Sequence, residues 1–261
     1  MYRTRTDGIR MGFLSDCAKK IRIAAAKRGY VCDCCGAEVF SYPAQRFCAV
    51  CEEKMTRNCG RTCSKCGRKT VAEGVCLLCK EDLPKFSKAF STFVYEGESA
   101  ALINRMKNGK RRLAYYFAEE MAKNFHALYA ERNEENFLIV PVPMTAAREK
   151  ERGFNQATEL AEIFTESLKE KGFHIELDVD ILQKTRDSAP QKRMDFRERK
   201  ANVSGAYHVH KRKACRDRII ILIDDIMTTG ATGSECAERL YGAGAKEVLF
   251  FAATALPERI Q

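Results

Sequence analysis

The sequence predicts an α/β protein in which a parallel sheet follows an N-terminal metal-binding module. Two runs of branched apolar residues, 137–142 and 219–223, have the composition of strands buried on both faces, which parallel sheets require. Each run is followed by a polar turn and then by a helical pattern, as in strand–turn–helix units. Four Cys-x-x-Cys pairs precede both runs, between residues 32 and 79.

Length, charge and hydropathy narrow the class of protein. The chain has 261 residues, which gives room for one sizeable domain and a smaller one. Its formal net charge of +10 is compatible with an anionic partner, such as nucleic acid or a phosphate-rich metabolite. No apolar run approaches the roughly 20 residues that span a bilayer, and the N-terminus lacks the apolar core of a secretory signal. We therefore expect a cytoplasmic protein without a transmembrane segment.

The distribution of cysteine marks a domain boundary. Eleven of the 13 cysteines precede residue 80. We therefore predict three segments: a basic amphipathic helix within 1–30, a cysteine-rich module at 31–82 and a larger domain at 83–261. The first segment has two interpretations, a helix packed on a neighbouring domain or a helix that binds nucleic acid or a membrane surface.

The cysteine pairs indicate structural zinc. In a reducing compartment, clustered cysteines favour metal binding over disulfides. Two Cys-x-x-Cys pairs about a dozen residues apart supply the four sulfurs of a zinc ribbon. Pairing in chain order predicts two Cys₄ zinc sites, although the sequence does not exclude interleaved pairing. Cys34 could compete as a ligand, and Cys59 has no assigned role. The predicted ligands are Cys32, Cys35, Cys48, Cys51, Cys63, Cys66, Cys76 and Cys79.

The first half of the larger domain contains a strand, two helices and a second strand. The patterns predict a strand at 90–95 and helices at 100–107 and 113–130, with a basic turn at 107–112 between the helices. The run at 137–142 should end its ladder pairing at the neighbouring prolines, because proline has no N–H to donate. A basic loop carrying Arg148 and Arg152 and a helix at 156–171 should follow.

The most informative stretch is 219–232. Its apolar run ends in Asp224 and Asp225, and residues 228–232 turn the chain into a helix predicted at 234–241, followed by a strand at 246–254. The N–H groups of the turn, its threonine hydroxyls and the helix N-terminus favour a phosphate. The two carboxylates suit sugar hydroxyls or a hydrated Mg²⁺. A turn that only caps the helix is the alternative.

This pattern resembles the PRPP-binding signature of type I phosphoribosyltransferases. The resemblance implies a type I phosphoribosyltransferase-like parallel sheet, in which the acidic pair holds the ribose 2′- and 3′-hydroxyls and the turn holds the 5′-phosphate. Mg²⁺ would accompany the diphosphate of PRPP. The residues implied as the PRPP site at this strand are Asp224, Asp225, Met227, Thr228, Thr229, Gly230, Ala231 and Thr232.

Further motifs resemble the ComF family, phosphoribosyltransferase-like proteins with N-terminal zinc knuckles that are linked to DNA uptake in natural competence. The matching residues are 141–143, Arg148 with 152–156, Arg186 and 202–207, and Lys107 matches the basic turn of the family although Asn108 departs from it. The resemblance implies that Arg148, Arg152 and Lys107 bind PRPP. It also implies that Arg186 acts with Asp224 and Asp225 in catalysis.

The segment 184–213 is strongly basic. It carries ten lysines and arginines against three acidic residues and has no apolar run, which predicts a mobile cationic excursion. Such an excursion could close over pyrophosphate or contact a nucleic-acid backbone through Arg197, Arg199 and Lys200. Composition does not choose between these two uses.

Two functions follow from these observations. In the first, the chain binds PRPP or a related phosphoribosyl ligand and handles single-stranded DNA during competence, with DNA-uptake proteins as partners. In the second, it is an enzyme that transfers phosphoribosyl from PRPP to an unidentified acceptor. The first is favoured, because no residue of the sequence indicates a nucleobase pocket.

Overall fold

The computed structural model describes residues 31–41, 43–186 and 196–258, without the side chains of residues 196, 197, 199 and 200. The helix expected within 1–30 lies outside these residues. The chain divides into two compact units after Glu52. The described part of the first unit contains a cysteine knuckle, closed by a hydrogen bond of 2.7 Å from the Cys32 N–H to the Ala37 carbonyl. Cys48 and Cys51 also lie in the first unit, and the second unit contains the sheet and Cys63, Cys66, Cys76 and Cys79.

Seven strands are present in the described residues. They are β1 (Lys88–Val94), β2 (Phe137–Pro141), β3 (Ile175–Leu177), β4 (Leu182–Lys184), β5 (Tyr207–Val209), β6 (Ile219–Met227) and β7 (Glu247–Ala255). The order β1-β7-β6-β2-β3 forms one sheet in which every neighbouring pair is parallel. The centre of the sheet is the apolar run at Ile219, as the sequence predicted.

Helices connect and cover these strands. They are α1 (Ala49–Glu53), α2 (Leu77–Glu81), α3 (Gly97–Lys107), α4 (Leu113–Tyr129), α5 (Ala146–Arg152), α6 (Gln156–Lys169), α7 (Phe196–Val203), α8 (Arg212–Cys215) and α9 (Ala231–Gly242). The expected helices at 100–107, 113–130 and 156–171 are present within a few residues of their predicted bounds.

Two apolar cores lie on opposite faces of the sheet, because successive strand residues point to opposite sides. Phe251 lies in an aromatic cluster, with its ring centroid 5.2 Å from that of Phe125. Phe250 belongs to the other core, where its ring lies 5.6 Å from that of Phe86. This second core also contains the buried cysteines of the second unit.

Strand β6 is longer than the sequence predicted. It continues through both aspartates to Met227, because β7 offers partners as far as Ala255. Helix α9 correspondingly begins at Ala231 rather than near residue 234. Gly230, at φ 85°, makes the tight turn between them.

The basic loop expected after β2 is instead a short helix. Thr145 caps α5 by accepting a hydrogen bond of 3.4 Å from the Arg148 N–H, and Gly153 at φ 82° ends it. The expectation of a loop was wrong because residues 146–152 are exposed and contain no large apolar residue, so they carry no apolar period that indicates a helix.

The prediction of a mobile excursion at 184–213 was also wrong for the described residues of this segment, 184–186 and 196–213. Strands β4 and β5 form an antiparallel pair, and α7 precedes β5. The side chains of Val203, Ala206 and Tyr207 are buried and hold this hairpin in the second core. They do not form a continuous apolar run, which is why the sequence did not indicate a folded element.

Close packing of α9 on β7 predicts a stability effect at Gly233. A Cβ atom there would lie 2.5 Å from the ring of Phe250, so Gly233→Ala should lower the free energy of unfolding by about 1–3 kcal/mol. Gly242→Ala in the same helix is the control, since a Cβ there meets nothing within 4 Å. Denaturant unfolding of the zinc-loaded proteins measures both, and equal stability of the two variants would contradict this packing.

Candidate functional site

The acidic pair lies near the carboxyl end of β6, at the edge of the sheet where ligands of open α/β folds bind. The Asp225 N–H donates to Asp224 Oδ1 at 2.8 Å, and the Thr254 hydroxyl on β7 donates to the Asp225 carbonyl at 3.0 Å. Burial, and then the charge of Asp225, raise the pKa of Asp224 well above its usual value of 3.8. The site therefore holds a carboxyl group whose ionisation needs a cation or hydrogen-bond donors.

Lys107 supplies one cation to this pair. It is the last residue of α3, and its Nζ lies 3.0 Å from Asp225 Oδ2. The side chain of Asp225 is only 5% exposed, so the ion pair is shielded from solvent on the carboxylate side. The structure thus brings together three residues that the sequence placed in one site, from elements more than a hundred positions apart.

The turn at 228–232 has the geometry of an anion site. The Thr229 hydroxyl accepts a hydrogen bond of 3.3 Å from the Ala231 N–H, which fixes the start of α9. The N–H groups of Thr232 and Gly233 fall in the first helical turn, where no intrahelical acceptor is available. These groups and the helix dipole can bind a phosphate about one turn beyond the carboxylates.

Tyr207 is a member of this site that the sequence did not single out. It is buried, its hydroxyl is hydrogen-bonded to Thr232, and it lies near Asp224. Burial, more than any neighbouring charge, raises the pKa of the phenol. Its position at the end of the motif 202–207 was the available signal, but the motif carried no assigned role.

The predicted arginines lie on α5, on α7 and just after β4. Arg148 is exposed on α5, and Arg152 Nη1 donates to Gln156 Oε1 at 2.8 Å. The guanidinium of Arg186 donates to the Ser204 carbonyl, which joins the two arms of the β4–β5 hairpin. Arg197, Arg199 and Lys200 belong to α7, but their side chains are outside the described part of the structure.

A cavity of about 330 Å³ lies elsewhere, beside the edge strand β3. Leu138, Ile175 and Arg218 are among its lining residues. Its place near the amino ends of β2 and β3 separates it from the acidic pair, so it contributes nothing to the chemistry of that site.

The cysteines group in chain order. Cys32, Cys35, Cys48 and Cys51 form one set, and Cys63, Cys66, Cys76 and Cys79 form the other, with all sulfurs of a set within 4.8 Å of one another. Tetrahedral zinc with Zn–S bonds of about 2.3 Å requires sulfurs roughly 3.8 Å apart. The measured separations are 3.8 Å for Cys35–Cys48 and 3.7 Å for Cys66–Cys76. Both sets therefore fit a structural metal ion.

Backbone N–H groups donate to sulfurs of both sets. Cys48 N–H donates to Cys32 Sγ at 3.3 Å, and Cys76 N–H donates to Cys63 Sγ at 3.3 Å. Although burial opposes it, hydrogen bonds from neighbouring backbone N–H groups lower the pKa of Cys32 to about 7. The second set is entirely buried, whereas Cys35 of the first set is exposed.

Metal analysis of the full-length protein should find two zinc ions per chain. Cys35→Ser should leave one, because three sulfurs bind zinc far more weakly than four. Cys59→Ser is the matched control, since Cys59 is exposed and belongs to neither set. A single zinc in the wild type, or unchanged content in Cys35→Ser, would contradict the two-site interpretation.

Named proteins from three bacteria are similar to this chain in sequence. Comparison with family models finds no match. The chain is 27% identical to competence protein ComFC of Bacillus subtilis over 73% of its own length and 75% of that protein. It is 28% identical to DNA utilization protein YhgH of Escherichia coli over 77% of its length and 87% of that protein. Competence protein F of Haemophilus influenzae matches 85% of this chain and 89% of its own length at 25% identity.

The resemblance to the ComF family is confirmed. The chain combines a parallel α/β sheet with two Cys₄ groups on the N-terminal side, which is the fold class that the sequence predicted. In the part of the chain that the structure describes, no helix has both the length and the apolar character needed to cross a membrane.

Solved structures similar to this chain include an amidotransferase and a phosphoribosyltransferase. The glutamine PRPP amidotransferase from B. subtilis, complexed with ADP and GMP, matches 53% of this chain at 18% identity and a TM-score of 0.34. This chain spans only 26% of the amidotransferase. A hypoxanthine phosphoribosyltransferase from Staphylococcus aureus matches 56% of this chain and 76% of its own length, at 11% identity and a TM-score of 0.34.

Proposed function

We propose that this chain binds PRPP or a related phosphoribosyl ligand near the carboxyl end of β6 and takes part in handling single-stranded DNA during DNA uptake. The observation that carries the ligand proposal is the conjunction of an acidic pair, with Asp225 buried and Asp224 half-buried, and a phosphate-favouring turn on one strand–helix unit. Asp224 and Asp225 accept the ribose hydroxyls, and the turn from Met227 to Thr232 holds the 5′-phosphate.

The charges of the site fit the charges of this ligand. A phosphate is repelled by carboxylates, and here the helix N-terminus receives it while the carboxylates face neutral hydroxyls. Lys107, with Arg148 and Arg152, would receive the diphosphate. Mg²⁺ would neutralise diphosphate oxygens, and the carboxylates of Asp224 and Asp225 would accept hydrogen bonds from its water shell.

Three observations support a role with DNA. The relatives include two competence proteins and a protein named for DNA utilization. The net charge of +10 exceeds what a small ligand requires. The cysteine sets, as structural zinc sites, would fold ribbons that carry further basic residues. DNA-uptake proteins are the corresponding partners, and a reducing cytoplasm suits thiols that bind zinc.

Transfer of the phosphoribosyl group is the second candidate, and the hairpin β4–β5 favours it. Tyr207 of this hairpin lies beside Thr232 and Asp224, and the Gly205 N–H donates to Glu235 Oε1 on α9 at 2.8 Å. An element fixed there, with Arg186 at its base, could enclose an acceptor over the ribose. Release of pyrophosphate from PRPP, assayed with candidate bases, separates the two functions: release establishes transfer, and binding without release leaves a ligand-binding protein.

DNA binding should be electrostatic. The affinity for a labelled single-stranded oligonucleotide should fall with salt, with a log–log slope of about −0.7 for each phosphate neutralised. Replacing Arg197, Arg199 and Lys200 by alanine should flatten that slope by up to about 2 while PRPP affinity stays nearly unchanged. Fluorescence anisotropy across a salt series measures the slope.

The control for that variant removes the same charge elsewhere. Lys169, Lys171 and Lys246 are exposed and precede β3 or β7, at the opposite end of the sheet from the acidic pair. Their replacement by alanine should leave the slope closer to that of the wild type. Absent binding at low ionic strength, or the same slope in both variants, would contradict the proposed DNA contact.

A further inference from the structure

The second cysteine set contacts the phosphate-favouring turn through one buried arginine. Arg68 Nε donates to Cys66 Sγ at 3.2 Å, and Arg68 Nη2 donates to the Thr228 carbonyl at 2.7 Å. The residue is 3% exposed. One guanidinium therefore joins a predicted metal ligand to the first residue of the turn, 160 positions away in sequence.

The knuckle that carries Arg68 is held firmly against the sheet. A Cβ at Gly67 would lie 2.3 Å from the Ala89 carbonyl oxygen on β1, so the two backbones are in close contact. The Asn58 side chain donates to the Gly67 carbonyl at 2.7 Å, and the Ala89 N–H donates to the Lys65 carbonyl at 2.9 Å. The backbone that carries Arg68 is therefore held in place, and the knuckle positions the Arg68 side chain so that it contacts the turn.

The contact with Thr228 has a consequence for the next N–H group. Because a trans peptide is planar, its C=O and N–H point in opposite directions. A hydrogen bond that fixes the Thr228 carbonyl toward Arg68 therefore fixes the Thr229 N–H away from it. The same peptide orientation precedes Gly230 and the start of α9, where the phosphate is proposed to bind.

We propose that Arg68 is a positioning residue that couples metal binding at Cys63, Cys66, Cys76 and Cys79 to ligand binding at the turn 228–232. With metal bound, the Cys66 sulfur stays where it accepts from Arg68, and Arg68 holds the Thr228 peptide in the ligand-binding orientation. Without metal, the sulfur is released and the turn loses this support. This inference rests on the proposed PRPP site and adds a structural dependence of that site on the second cysteine set.

Coupling of this kind is reciprocal, because two ligands that favour the same conformation raise each other's affinity by the same factor. PRPP with Mg²⁺ should therefore make zinc harder to remove from the second set. The measurement is an equilibrium competition between the full-length protein and a chromophoric zinc chelator, with and without saturating PRPP. The Cys35→Ser variant, which lacks the first site, identifies the signal of the second.

In the wild type, PRPP should raise the chelator concentration at half-removal by about fivefold or more. In Arg68→Met this shift should be clearly smaller, because only zinc-dependent folding of the unit still contributes to the shift. Arg61→Met should retain it, since Arg61 also bonds a ribbon carbonyl, that of Val71, but does not reach the turn. Arg68→Lys keeps the charge, yet one ammonium cannot donate to both the sulfur and the carbonyl at these positions, so its shift should also fall.

The results distinguish failure of the coupling from failure of the proposed function. A shift as large in both Arg68 variants as in the wild type, or no shift in a wild type that binds PRPP by calorimetry, would overturn the coupling and leave the proposed function standing. A wild type that binds no PRPP would overturn the proposed function and this inference together. If Arg68→Met does not fold, the Arg68→Lys result is decisive by itself.

Discussion

Replacing Asp224 and Asp225 together by asparagine is expected to lower the affinity for PRPP about 100-fold or more. The loss of charged hydrogen bonds to two ribose hydroxyls costs on the order of 3 kcal/mol, and about 1.4 kcal/mol corresponds to a factor of ten. Isothermal titration in the presence of Mg²⁺ measures this change. Zinc content should not change, because neither aspartate contacts a cysteine set.

The single substitution Asp224→Asn should also stabilise the ligand-free protein. The pKa of Asp224 is raised above 3.8 mainly by burial. At pH values between 3.8 and this raised pKa, the folded chain therefore holds a proton that the unfolded chain has released. Wild-type stability therefore falls as pH rises from about 3.8 through the raised folded value. Asparagine cannot ionise and escapes this loss. A variant no more stable than the wild type at pH 7 in denaturant unfolding would contradict the burial of this charge.

Breaking the second cysteine set should have the largest effect on folding. Its four sulfurs are buried in the core formed by β2, β6, β7 and α9. A structural zinc site contributes roughly 10–16 kcal/mol, as much as the whole stability of a typical domain. Cys66→Ser should therefore prevent the unit that begins at Glu53 from folding cooperatively. The readouts are circular dichroism and amide exchange of β6 and β7.

The matched substitution in the first set should behave differently. Cys35 belongs to the unit that ends at Glu52. Cys35→Ser should therefore leave the exchange protection of β6 and β7 within a few-fold of the wild type. Native-like protection in Cys66→Ser, or its loss in Cys35→Ser, would contradict the distinct roles assigned to the two sets.

The central strands and the cysteine sets could be predicted because their signals are local. A run such as Ile219–Ile223 must be buried whichever fold surrounds it, and the spacing of the cysteine pairs identifies metal ligands. Their pairing was left open by the sequence, and the structure shows that they group in chain order. Lys107 was placed in the site by its motif. The ion pair of Lys107 with Asp225 then required the end of α3 to reach β6, which only tertiary structure shows.

The features that could not be predicted from the sequence depend on contacts between residues that are far apart in the chain. Helix α5 is exposed and held by its caps, so it lacks an apolar stripe. The β4–β5 hairpin is buried through scattered residues such as Val203 and Tyr207. Arg68 looks like one more basic residue in a cysteine-rich ribbon, and its role emerges only because the ribbon packs on the sheet beside Thr228.

The most direct test of the central claim is a calorimetric titration of the zinc-loaded, full-length protein with PRPP and Mg²⁺. The account predicts saturable binding of one PRPP per chain, lost in Asp224→Asn/Asp225→Asn and kept in the exposed control Lys169→Ala. Absence of saturable binding to the folded wild type, or equal affinity in the double variant, would contradict the assignment of a phosphoribosyl site to β6 and its turn.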